Sequence, residues 1–140
     1  MRSLTLSAAL LALLSLGACR TPDAGSPPPR SSASVAGVAL AAVPQGETVR
    51  LTLTNGSNGP VGYNLCSSAM LRRDGTGWSP IPSEVFCTME MRTLSPGASD
   101  SFAYPLTAGL EPGEYSWRAN VEIPFGGTRR EVVSNPVSLP

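Results

Sequence analysis

The chain has 140 residues with ten arginines, ten acidic residues, no lysine and no histidine, for a formal net charge of zero. A neutral balance gives no electrostatic pull toward nucleic acid or acidic polymers. The missing histidine removes the Ser-His-Asp and Cys-His arrangements and leaves two-cysteine zinc sites short of ligands.

Arg2 precedes an apolar run from Leu4 to Leu16 broken only by Thr5, Ser7 and Ser15. The run is shorter than the roughly 20 residues of a membrane-spanning helix and fits the apolar core of an export signal. It ends in Leu16-Gly17-Ala18-Cys19, which resembles the lipobox of bacterial lipoproteins. That resemblance implies cleavage after residue 18, lipid on Cys19, and a chain exported and anchored to the cell membrane or outer membrane, facing the periplasm or the surface. Arg20 follows the cysteine where an Asp would favour inner-membrane retention; by the same resemblance the outer membrane is favoured where one exists. Residues 19–34, with "TPDAGSPPPRSSAS" from Thr21, hold almost nothing to bury and are expected to be a disordered tether. Sixteen residues, 20–35, reach about 50 Å when extended.

Residues 35–140 form the expected folded domain. Its apolar residues do not recur at helical spacing, and Gly and Pro interrupt it often. Period-two alternation is clear in "ETVRLTLT" (Glu47 to Thr54) and "GEYSWRANVEI" (Gly113 to Ile123). Strands are predicted near 35–43, 47–54, 61–66, 69–73, 85–93, 99–106, 114–123 and 130–139. "NGSNGP" (Asn55 to Pro60), "SPG", "EPG" and "FGG" supply turns between them. Seven or eight short antiparallel strands predict an all-β sandwich of immunoglobulin type, with a small barrel as the alternative.

The run "VRLTLTNGSNGPVGYNLC", a tryptophan, a second cysteine, "LSPG", "GLEPGEYSWRANV" and a closing "SNPVSL" resembles bacterial immunoglobulin-like domains of small exported lipoproteins. The resemblance covers residues 35–140, implies the fold, and brings no binding residues with it. Tyr115, just after Pro112-Gly113, is similar to the tyrosine corner of such sandwiches, although Trp117 stands where a second cysteine is usual.

With Cys19 lipidated, Cys66 and Cys87 remain as an even pair in an oxidising compartment, and a disulfide is the default expectation. The alternative is a Cu(I) site: "CTMEM" places Cys87, Met89 and Met91 at alternate positions of the predicted 85–93 strand. Without that metal, Met89 and Met91 are expected to fill the core beside the disulfide. No cofactor is expected, and the scattered Glu84, Glu90 and Glu131 read as surface, so the chain is not expected to be an enzyme.

The expected function is non-catalytic binding or structural work in the cell envelope, with a protein or polymer partner. Two arginine-aromatic loops are the candidate binding residues: Arg72, Arg73 and Trp78 in "RRDGTGWSPIP", and Phe125, Arg129 and Arg130 in "FGGTRR". Trp78 has a second reading as a lid over the sandwich edge. Some small bacterial proteinase inhibitors also use an immunoglobulin-like scaffold, and a rigid loop between Cys66 and Cys87 suits that alternative.

Overall fold

A computed structural model describes residues 33–140; the expected signal segment, Cys19 and nearly all of the expected tether lie outside them. Among the described residues, ten strands make two antiparallel sheets. The smaller holds β1 (Val38–Gln45), β2 (Thr48–Asn55) and β7 (Ser99–Pro105) in the order β1-β2-β7. The larger is built around the 11-residue β8 (Gly113–Ile123). One flank of β8 carries β3 (Val61–Tyr63) and β4 (Ala69–Asp74), two halves of one line interrupted by a 3-10 turn at Leu65–Ser67. Outside these lie β6 (Arg92–Leu94) against β3 and β5 (Gly77–Pro80) against β4. The other flank of β8 pairs with β9 (Thr128–Val133) and β10 (Val137–Leu139). The chain crosses between the sheets after β2, β6 and β7, the Greek-key connection of an immunoglobulin-type sandwich.

Alternation creates the core. Val49, Leu51 and Leu53 of β2 are fully buried, while Arg50 points out. Tyr115, Trp117, Ala119 and Val121 of β8 face the same interior. Trp117 meets Tyr104 edge to face with ring centroids 5.8 Å apart. Each large apolar side chain buried there contributes about 1.5–3 kcal/mol. The Tyr115 hydroxyl donates to the Glu111 carbonyl four residues upstream, so the tyrosine corner is formed. Asn55 is wholly buried at the β2 turn, its amide donating to the carbonyls of Gly59 and Leu94, both at 2.9 Å. With both amide hydrogens committed, the Asn-Gly-Ser triplet is a turn anchor.

Two polar ties join the sheets. The Asn135 amide accepts from the Ala42 N–H at 2.9 Å and donates to the Ala42 carbonyl at 3.0 Å. Tyr63 of β3 donates to Asp100 of β7 at 2.5 Å, and Arg92 reaches the same carboxylate at 2.7 Å.

Several predicted boundaries need correction. The strand expected at 61–66 stops at Tyr63, because the 3-10 turn follows. The strand expected at 130–139 is two strands broken by Ser134, Asn135 and Pro136, where Asn135 turns inward to β1. The segment Arg72 to Pro82, expected as a loop, is mostly the regular β4–β5 hairpin. The largest correction concerns 85–93, of which only Arg92 and Thr93 are in a strand.

Candidate functional site

Chain length explains why 85–91 is not a strand. The Ile81 N–H bonds the Met70 carbonyl, and Arg92 pairs with Tyr63. Between these fixed points residues 82–91 face residues 64–69, ten against six. The excess cannot stay in register and loops outward as a strap over the 3-10 turn.

Four attachments hold the strap. Cys87 is disulfide-bonded to Cys66 of the 3-10 turn, with Cα atoms 5.7 Å apart. The Asn64 amide donates to the Thr88 carbonyl at 2.7 Å. The buried Tyr104 donates its hydroxyl to Ser83 Oγ at 2.7 Å. Ile81 and Val85 pack against the core. Between the attachments the strap shows apolar side chains to solvent: Phe86 is 99% and Met89 96% exposed.

Beside the strap, Phe125 lies over β3. A Cβ on Gly62 would sit 2.7 Å from the Phe125 ring and 3.3 Å from Met91 Cε, so Gly62 is the floor on which both rest. Met89, Met91, Asn64, Ser67, Glu122 and Arg129 line a shallow hollow of about 160 Å³. The patch is therefore methionine and aromatic surface beside a small hollow of mixed polar and apolar lining.

The Tyr63–Asp100–Arg92 group lies next to the disulfide, in a hollow that also contains Cys66, Thr88 and Glu90. Burial, then the hydrogen bond to Asp100, pushes the Tyr63 phenol up to about 12. The Tyr63 hydrogen bond, aided by the Ser101 N–H and Arg92, holds the Asp100 carboxyl below the usual carboxylate range. Both shifts favour a neutral phenol bonded to a charged carboxylate. This arrangement locks the sheets together.

The six candidate residues do not form one site. Arg72, Arg73 and Trp78 lie on the β4–β5 hairpin, where Arg72 pairs with Tyr115 near the start of β8. Phe125, Arg129 and Arg130 lie beyond or beside its other end, past Ile123. Six residues of β8, from Tyr115 opposite Arg72 to Val121 opposite Arg130, separate the two groups at their nearest, about 20 Å at 3.4 Å per residue. Arg72 pairs with Glu111, and Arg73 pairs with Glu114 at 3.1 Å. Arg73 also stacks on Trp78, 5.9 Å from the ring centroid, leaving that indole 37% exposed on edge strand β5. Arg129 is 3.9 Å from Glu122. Only Phe125 and Arg129 join the patch around the strap.

The copper geometry does not form. Cys87 is spent in the disulfide and offers no thiolate. Met89 and Met91 share no strand face, and neither fills the core. Phe86, the most exposed large apolar residue among the described ones, was missed as a candidate. Its signal was present: in "EVFCTMEM" it falls in phase with Glu84, Thr88 and Glu90, an aromatic residue among polar ones. No family model, curated protein or solved structure matches the chain.

Proposed function

We propose that the protein is an exported lipoprotein, anchored through Cys19, whose sandwich is a non-catalytic binding module of the cell envelope. The strap is its contact surface. The observation that carries this reading is the pairing of rigidity with exposure. Phe86 and Met89 stand almost fully in solvent on a backbone fixed by a disulfide, a side-chain amide and two half-buried side chains packed on the core. Ordering costs subtract from affinity, and a pre-fixed loop avoids them. Aromatic residues on such a support are the usual anchors of protein interfaces.

Two experiments test the reading. Intact mass of the full-length chain from a bacterial membrane fraction should match a polypeptide starting at Cys19 plus diacylglyceryl and acyl groups; an unmodified chain refutes the anchor. A photo-crosslinking residue at position 86 or 89 should trap an envelope partner in cells, whereas the same residue at position 78 should not. The reverse pattern moves the contact surface to the β4–β5 hairpin.

A second reading, proteinase inhibition, is favoured by one observation. Among the described residues, no backbone N–H from Phe86 to Glu90 donates to the protein, leaving these groups open to a cleft that binds substrate backbone. Loss of activity across a panel of serine, cysteine and metallo-endopeptidases, reversed by Phe86→Ala, is the result that supports it.

A further inference from the structure

Resting on the reading that the strap is the contact surface, we infer that its partner is a protein with an apolar pocket for Phe86 ringed by cationic side chains, and that an extended segment of this partner pairs with the strap backbone. Charge placement on the strap gives the first reason. Arg72, Arg73, Arg92, Arg118 and Arg129 each face a carboxylate of their own: Glu111, Glu114, Asp100, Glu131 and Glu122. Glu84 and Glu90 differ. Among the described residues neither has a cation within ion-pair distance, which Glu47 and Asp74 share, but only Glu84 and Glu90 bracket Phe86 and Met89 in sequence. Arg92 shares a hollow with Glu90 yet commits its guanidinium to Asp100 at 2.7 Å. The strap is thus an apolar stripe with a free negative charge at each end.

That pattern selects among surfaces. An anionic membrane or polysaccharide meets two uncompensated carboxylates and is repelled. A protein pocket with lysine or arginine at its rim is attracted, and opposite potentials set specificity and encounter rate. The open N–H groups from Phe86 to Glu90 supply the second element. An extended segment of the partner can take them up, as in strand addition to a sheet edge. The Thr88 carbonyl is already held by Asn64, so pairing uses the remaining groups.

The test uses the full-length chain with its disulfide intact, probed with a random heptapeptide phage library and with phosphatidylglycerol vesicles. Enriched peptides are expected to carry alternating apolar residues flanked by Lys or Arg. Phe86→Ala, which removes a side chain in solvent, should keep the melting temperature and weaken capture by about tenfold. The Glu84→Gln/Glu90→Gln pair should erase the basic bias and weaken binding at low salt, a difference that closes in about 1 M salt. N-methylation of an enriched peptide at alternate positions, made in both phases, should abolish binding in the phase that faces the strap. No enrichment, a basic bias that survives the double variant, or tolerance of N-methylation in both phases overturns the inference. Phe86-dependent binding to the vesicles also overturns it, and leaves the strap as contact surface. Peptide capture indifferent to Phe86→Ala, together with no crosslink at 86 or 89, overturns the strap reading itself.

Discussion

Asn135 does for Ala42 what a neighbouring strand would do. Its amide supplies one acceptor and one donor to a backbone position that β2 leaves unpaired, from a residue 93 positions away. Both residues are buried, so removing the amide leaves two polar groups without water. Asn135→Ala should therefore cost about 2–4 kcal/mol, measured by urea denaturation. Leu at the same position should do no better, because volume is not what is missing.

Tyr63 and Asp100 make a pH-dependent contribution of the same residue scale. A carboxyl held low in the fold adds stability above its unfolded value of about 3.9, lost as pH falls through the lower folded value. A phenol raised to about 12 adds stability below its unfolded value of about 10, lost as pH rises through 12. The stability difference between the native chain and Asp100→Asn should thus be full between about pH 5 and 9 and shrink on either side. A difference unchanged at pH 2.5 would show that the network does not titrate as the geometry requires.

At the scale of elements, β2 and β8 were legible because each alternates cleanly and buries one face; their predicted limits agree with the observed ones to within a residue. The strap was not legible for a definite reason. "EVFCTMEM" also alternates, but its strand would need a partner of equal length, and the opposing chain supplies six residues for ten. That mismatch is tertiary and invisible in a local window. The disulfide was legible because cysteine parity and compartment decide it without geometry. Closing a loop between cysteines 21 positions apart stabilises by about 3.4 kcal/mol in the chain-entropy model. Cys66→Ala with Cys87→Ala should therefore lower the melting temperature by more than about 10 °C. It should also raise proteolysis first within 82–91, and a shift below about 3 °C would contradict the cross-link's weight.

On the scale of the molecule, one hydrophobic layer lies between the sheets, with a polar tie at Asn135 and another at Asp100. Neither sheet can separate without exposing Trp117, Tyr104 and Tyr115 together. Tryptophan fluorescence and far-ultraviolet circular dichroism should accordingly report one coincident unfolding transition, with 1:1 superposition of the two curves. Two displaced transitions would mean that the small sheet melts on its own.

The surplus of strap residues over the chain they face has an evolutionary meaning. A segment that joins no ladder contributes nothing to the pairing pattern, so its outward residues are free to change while the sandwich stays the same. Phe86, Met89, Glu84 and Glu90 can be rewritten as a cassette, with Cys87, Val85 and Thr88 kept as its hinges. Editing a handful of codons can therefore change the surface that the strap presents, without ever passing through an unstable fold.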